Sequence, residues 1–412
     1  MNSSVRTLLA AISIFACAAA ALAADWPQWR GPSRDGKSPE KNLLKQWPAT
    51  GPALLWSVED IGKGYSSIAI AGGAAYASGM VGSQGYLFAF DTNGGLLWNT
   101  AYGPERVSGH QGPRSTPTVD GDRVYLLSTE GMLVCVNAHD GKLEWRLDTE
   151  KEFKANKVVH GLCENVLVVD DYVICMPGGP GASVIAVNKK TGELAWQTRD
   201  FSDIPGYNST LLIERGGKKQ IVALTAGSLV GLDPLTGAIR WRQIYDEKGT
   251  SWPCAIPLHY DGVLYGPLGK EASAQTLKLS EDGGSVTPFW TQPEMKVHHG
   301  GVVCVDGFIY GTPNLQGPVC LDASTGQFKW QAPKEIGLGS IAYADGMLYL
   351  CFPDGTVRLV KATPDSYQPV SVFKVPKGSR DFWAHPSISD GRLYLRRGEA
   401  LMVYDISAAA KH

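Results

Sequence analysis

An eleven-residue unit, GLDPLTGAIRW at 231–241, recurs along the chain. AVNKKTGELAW (186–196), CVNAHDGKLEW (135–145) and CLDASTGQFKW (320–330) repeat it almost residue for residue. AFDTNGGLLW (89–98) repeats it one residue shorter, and 277–290 repeats it with a looser turn. Self-similarity of this kind marks a repeat architecture, in which a unit buries its apolar face only against its neighbours.

The unit reads as a strand, a tight turn and a second strand. Asp91, Asn137, Asn188, Asp233 and Asp322 open the turn, where a short polar side chain hydrogen-bonds the backbone two residues on. Gly141, Gly192, Gly237 and Gly326 fall where a hairpin loop needs φ > 0. Two residues before the Asp or Asn the slot is always small: Ala89, Cys135, Ala186, Gly231, Cys320. That restriction marks a close-packed position. Trp98, Trp145, Trp196, Trp241, Trp290 and Trp330 close the units, each a flat apolar face too large for one small sheet to bury. Each is expected to dock on the next unit.

A second pattern alternates with the first. Segments 66–76, 115–125, 165–175, 209–223, 256–265, 301–310, 340–349 and 385–394 each read as strand, turn, strand, with Asp-Gly or a variant at the turn. Four antiparallel strands in about 45 residues is the size of a propeller blade. The ends set the blade number. A lone fourth strand, Ala53-Leu-Leu-Trp56, has no earlier strands of its own, while 386–389, 392–396 and 400–406 are three strands with no closing Trp. Three plus one makes a whole blade and removes exposed sheet edges. With seven complete repeats between, Phe373 standing in for Trp in the last, the expectation is an all-β, eight-bladed propeller closed by its terminal strands, with Trp56 as a docking residue too.

Residues 1–23 read as an export signal: Arg6, an apolar run at 8–20, and Ala-Leu-Ala before the cleavage point. Soluble release to the periplasm or outside the cell is favoured over lipid anchoring at Cys17, because Phe15 is bulky where a lipoprotein box takes a small residue. No later run is long enough to span a membrane. Residues 24–52 lack either periodicity and read as an extended arm, with Trp26 and Trp29 as packing residues; 53–412 is the propeller. Charged residues make up 19% of the chain and the net charge is −2, with no basic face, which argues against nucleic acid. Of eight cysteines, seven lie beyond the leader, an odd number without CxxC spacing, against a disulfide framework or a zinc site. Cys135 and Cys320 read as buried thiols.

The Ala-x-Asp-x-x-Thr-Gly-x-x-x-Trp pattern resembles the tryptophan-docking motif of the quinoprotein-alcohol-dehydrogenase-like propellers over roughly 53–406. That superfamily holds both pyrroloquinoline quinone (PQQ)-dependent dehydrogenases and the non-catalytic periplasmic propeller of the outer-membrane β-barrel assembly machinery. The resemblance is specific for fold and silent on function, because the motif is structural. In the enzymes Ca²⁺ is held by Glu, Asn and Asp, and PQQ lies between a Trp and a vicinal disulfide. Carried over, this places Glu164 and Asn208 as metal ligands and Trp252 as the stacking residue. Ala255 stands where a further carboxylate would help, and no two cysteines are adjacent.

Function is expected at the channel mouth, where the residues before each first strand converge. Aligned on their Asp-Gly turns, the repeats place Tyr65, Arg114, Glu164 and Asn208 in one ring, and Cys163, Tyr207, Cys254, His299 and Trp383 one residue earlier. His110 and His160 share a slot four residues upstream of Arg114 and Glu164; His298 and His385 face them. A concave site with convergent polar groups is the default binding site. The plainer alternative is that Arg114 and Glu164 pair between blades and the histidines are solvated. No Gly-x-Ser-x-Gly or His-Glu-x-x-His supports a hydrolase. The expectation is a monomeric cell-envelope propeller that binds a small-molecule ligand or an envelope protein without catalysis; the alternative is a PQQ- and Ca²⁺-dependent alcohol or sugar dehydrogenase.

Overall fold

The recurring unit is the outer half of a four-stranded antiparallel sheet, and the computed structural model contains eight such sheets. It describes residues 25–155, 158–268, 273–314, 316–379 and 382–408; the expected leader with Cys17 lies outside them. Blades 1 to 7 span 69–104, 118–148, 167–197, 211–244, 258–292, 302–331 and 340–374. Blade 8 takes three strands from Ser387–Ser389, Arg392–Arg397 and Ala400–Asp405 and its outer strand from Ala53–Val58. Ala53 pairs with Asp405 and Val58 with Leu401, so the two ends of the chain close the ring. Regular helix among the described residues is confined to Thr149–Phe153 and a 3-10 turn at Lys334–Ile336.

The small slot and the tryptophan are cross-strand partners. Ala89 faces Trp98, Cys135 faces Trp145, Ala186 faces Trp196, Gly231 faces Trp241 and Cys320 faces Trp330. Only a small residue leaves room for the indole to fold back across its own sheet. Burial pushes the thiols of Cys135 and Cys320 up to about 12, as expected of inert core cysteines. The far edge of the ring then reaches the turn of the next blade, Trp241 excepted. A Cβ on Gly237 would sit 2.4 Å from the Trp196 ring, so this glycine is required for close approach as well as for its φ of +72°.

Each indole N–H is satisfied in the same movement. Trp56 donates to Thr92 O at 2.9 Å, Trp98 to Ala138 O at 3.0 Å and Trp145 to Lys189 O at 3.1 Å. Trp196 reaches Pro234 O at 3.1 Å, Trp290 Ala323 O at 3.0 Å and Trp330 Thr363 O at 2.8 Å. Trp241 departs from the pattern because the turn of blade 5 is the loose one. It donates to Gln220 Oε1 in its own blade at 2.7 Å, and Gln220 Nε2 relays the contact to Gly283 O at 3.3 Å. Phe373 docks on Gly51, just ahead of the closing strand, and Trp47 meets it edge-on at 5.3 Å.

Residues 25–52 do more than lie along the body. Trp26 pairs with Ile70 on the inner strand of blade 1, and Lys37–Ser38 adds a parallel strand to the inner edge of blade 7. Between them the backbone turns tightly, with Arg30, Gly31, Arg34 and Gly36 all at positive φ. This turn enters the central channel from the face opposite the mouth. Arg30 and Arg34 are 1% and 2% exposed. Arg34 donates to the carbonyls of Asn165 (2.8 Å), Thr210 (3.0 Å) and Val166, and Arg30 to that of Val302. The channel is closed from below by two guanidinium groups.

Removing a docked ring should be costly. Trp196→Ala is expected to lose roughly 3–5 kcal/mol in denaturant unfolding, as for large buried aromatics. Gln220→Leu should lose about 1–3 kcal/mol while Trp241 stays in place, because it strands the indole N–H without a partner. Losses under about 1 kcal/mol for Trp196→Ala would show that the ring does not join the blades.

Candidate functional site

A running set of inter-blade hydrogen bonds assembles the mouth. His385 N of blade 8 donates to Ser67 Oγ at 2.8 Å, and Ser67 N to Thr116 Oγ1 at 2.9 Å. Thr116 N donates to Asn165 Oδ1 at 2.6 Å, and Asn165 N to Ser209 Oγ at 2.9 Å. From blade 8 round to blade 3, each entrance is pinned by a side chain of the next blade. The residues just before these entrances are thereby carried to one level.

They surround a cavity of about 270 Å³. Tyr65, His110, Arg114, His160, Tyr207, Asn208, Trp252, His298, His299, Trp383 and His385 all line it, with Cys163 and Cys254. Five of the chain's eight histidines converge here. The rings form an unbroken belt. Trp252 lies 5.9 Å from Tyr207, Tyr207 5.6 Å from His160, and His160 6.0 Å from His110. His110 lies 4.5 Å from Trp383, which stacks on Tyr65 at 4.7 Å and continues to His299 at 5.2 Å and so to His298. Trp252, 49% exposed, forms the outer lip.

Among the described residues no carboxylate lines this cavity. Arg114 turns two of its N–H groups to the carbonyls of His110 (2.6 Å) and Gly112 (3.3 Å), and no carboxylate among the described residues forms an ion pair with it. The expected alternative, an Arg114–Glu164 pair between blades, does not form. On the floor, Arg30 Nη1 lies 3.1 Å from His385 Nδ1. A guanidinium only donates, so Nδ1 is the acceptor and the Nε2–H donates to His299 O at 2.9 Å. Burial and the neighbouring Arg30 charge push His385 down to about 3, so it is neutral at any ordinary pH. His299 is likewise held well below the usual imidazole range by burial, and its Nε2 is buried without a partner.

Glu164 is the one candidate outside the cavity. It is buried beneath the wall, where Oε2 accepts from Met176 N. Burial raises its carboxyl to about 8, with the Met176 N–H and the Arg34 charge opposing. Asn208 keeps its place on the wall, but its Nδ2 donates to Leu224 O (3.0 Å) and Pro253 O (3.1 Å). Among the described residues the remaining oxygens, Glu164 Oε1 and Asn208 Oδ1, are buried without a hydrogen bond of normal geometry, although the Thr210 N–H also lies close enough to lower the Glu164 carboxyl.

Residue patterns alone did not single out Trp29, Arg30 and Arg34 for the site. Trp29 packs, as expected of it, yet one side of the ring also lines the cavity and meets His385 edge-on at 5.2 Å. The available signal was Trp29-Arg-Gly-Pro-Ser-Arg-Asp-Gly36, two cations framed by turn formers in a segment without a sheet period.

A model of the family described as outer membrane protein assembly factor BamB matches residues 83–332, more than half of the chain, and the chain belongs to that family. A polyvinylalcohol dehydrogenase of Pseudomonas sp is 25% identical over 52% of this chain and 33% of its own. BamB of Yersinia pestis is 25% identical over 53% of this chain and 56% of its own. The matches thus span between a third and little more than half of these relatives. Among solved structures, BamB from Moraxella catarrhalis aligns with a TM-score of 0.65 at 15% identity, over 87% of this chain and 99% of that one. The quinohemoprotein alcohol dehydrogenase from Comamonas testosteroni aligns at 0.65 and 14% identity, over 94% and 81%. These likenesses speak to fold alone. The chain has the propeller that both kinds of protein share.

PQQ with Ca²⁺ fits this mouth incompletely. Two orphaned oxygens, Glu164 Oε1 and Asn208 Oδ1, are the sort of atoms a hard cation takes, but Ca²⁺ needs about six to eight. Ala255 fills the third place, fully buried, and no three His, Cys, Asp or Glu side chains converge on one point among the described residues. The seven cysteines described are all free thiols.

The buried carboxyl of Glu164 makes stability depend on pH. Its proton is held in the fold up to about 8 but lost from the unfolded chain near 4.5. This contribution is therefore complete below the unfolded value and is lost as pH rises between the two. Glu164→Gln should remove that slope, so that the variant gains on the wild type by on the order of a few kcal/mol between pH 5 and 8. Parallel stability–pH curves for the two proteins would contradict the placement.

Proposed function

We propose that this BamB-family member is an exported, non-catalytic propeller whose mouth captures a small ring-bearing anion. One observation carries the reading: an unbroken run of eight aromatic and imidazole rings lines the mouth, with Arg114 in the wall and no carboxylate among the described residues facing inward. Rings of this kind offer flat apolar faces with polar edges. A planar or pyranose-like ring fits between them, and a guanidinium recognises its carboxylate or sulfate with two parallel N–H donors. Export rests on the leader at 1–23 and agrees with the outer-membrane assembly role in the name of the BamB relatives. That name also supports an envelope protein as the natural partner, presenting such a group on its surface.

A second reading, a PQQ- and Ca²⁺-dependent dehydrogenase, is favoured by the orphaned oxygens of Glu164 and Asn208 and by the polyvinylalcohol dehydrogenase relatives. When bound, PQQ would supply an electron-pair acceptor for alcohol oxidation. The chain's own part would be to hold the cation with those two oxygens and flank the ring with Trp252.

Calorimetric titration separates the two. With EDTA present, 2-naphthoate and PQQ are both expected to bind, and Arg114→Met should weaken each by about tenfold to a hundredfold, the worth of a charge-assisted hydrogen bond. Retention of PQQ only with Ca²⁺, abolished by Glu164→Ala, would instead establish the second reading. Wild-type protein that takes up neither compound under either condition would end both.

A further inference from the structure

We propose that the amino-terminal arm is part of the mouth site: Trp29 is the floor that the ligand's ring touches, and Arg30 is a positioning residue that sets the His299 side of the wall through His385. The proposal rests on the ligand-binding reading above for Trp29, while the Arg30 relation stands on geometry alone.

Three observations carry it. First, the arm is inside the channel. Trp26 is bridged to Ile70 of blade 1, Lys37 and Ser38 are paired to blade 7, and the turn between them threads to the axis. Second, its side chains replace what an open channel would leave as water. Carbonyl oxygens of blades 3, 4 and 6 end on Arg34 and Arg30. Unpaired carbonyls in that position would each carry a desolvation cost. Gly301 lets the guanidinium approach: at φ +67°, a Cβ there would lie 2.8 Å from Arg30 Nη1. Third, the arm reaches the cavity by two routes. Trp29 lines it directly. Arg30 acts at one remove, since its donated hydrogen bond makes His385 Nδ1 an acceptor and commits the Nε2 proton to His299 O.

The arm and the ligand should therefore bind as a coupled pair. A ligand seated on Trp29 holds the arm in the channel, and the arm in turn gives the mouth its floor; by linkage each strengthens the other.

The test uses the full mature chain, with 2-naphthoate and PQQ as probes. Trp29→Leu keeps an apolar side chain against the neighbouring core and is expected to weaken both probes about tenfold, the worth of one aromatic contact. Trp26→Leu is the control: Trp26 lies in the same arm but off the cavity, so this variant should unfold at lower temperature and bind the probes as wild type does. For Arg30→Met, the readout is ¹⁵N NMR of the histidine rings. His385 should change from a fixed Nε2–H tautomer with no titration above pH 5 to a ring that titrates, with the His299 resonances moving too. Unaltered affinity in Trp29→Leu overturns the floor; an unaltered His385 tautomer in Arg30→Met overturns the positioning role. Wild type that binds neither probe defeats the ligand reading and the Trp29 contact together, and leaves the NMR result to decide Arg30 by itself.

Discussion

Each outer strand carries an aromatic ring that its own sheet cannot cover. In blades 1, 2 and 3 two neighbours solve this: a small residue directly across the strand pair, and a turn glycine in the following blade. Because the ring lies across the first and presses on the second, the contact fixes both the internal register of a blade and its angle to the next. Trp196, trapped between Ala186 and Gly237, shows the whole device. The indole hydrogen bond then sets the depth of insertion, since a shift of one residue would leave the N–H without an acceptor. Everything nearer the axis depends on this outer hoop. The entrance residues meet at one level only because eight sheets are spaced evenly by it.

Toward the axis the chemistry changes from apolar docking to polar satisfaction. Inner strands converge until backbone carbonyls face each other across a channel too narrow for a packed core. Hydroxyls and amides of Ser67, Thr116, Asn165 and Ser209 tie blade to blade. Below them, the guanidinium groups of Arg30 and Arg34 absorb carbonyls that no strand can reach. Burial draws both arginines down to about 10, which still leaves them charged at neutral pH. The result is a pit, positive at its base and walled with rings. That character comes from the need to satisfy the channel's backbone as much as from any ligand.

The outer architecture was legible in the amino-acid order because repetition reports constraint. Six copies of one turn and one closing aromatic exposed the blade, and the unmatched strands at 53–56 and 386–406 exposed the closure. The mouth was legible by the opposite logic: Tyr65 and Arg114 share one slot, and Tyr207 and His299 the slot before it, yet within each slot the residues differ in type. What could not be read was direction. Glu164 holds the same slot as Arg114, but Met176 N draws its carboxyl sideways into the wall, a contact that depends on where a different strand ends. The arm escaped for a related reason. It has no period of its own, since its conformation is dictated by the carbonyls it meets, and those belong to Asn165, Val166, Thr210 and Val302, scattered over 138 positions of the chain. The loose turn before Trp290 was visible as an irregularity, but its remedy, the relay through Gln220, was not.

The pairing of Ala53–Val58 with Ala400–Asp405 has a consequence for how the protein is made. A chain made from its amino terminus delivers the arm and the first strand long before their partners. For almost the entire length of synthesis that strand is an open edge, available to any other strand in its surroundings. Blades 1 to 7 can condense in turn through their local hairpins, whereas the final sheet waits on a contact between the two ends of the chain. Ring closure is thus a single late event. It converts a curved stack of sheets, free to open or to join with a second copy, into one sealed body, and the time spent before it is when the protein most needs protection from its own edges.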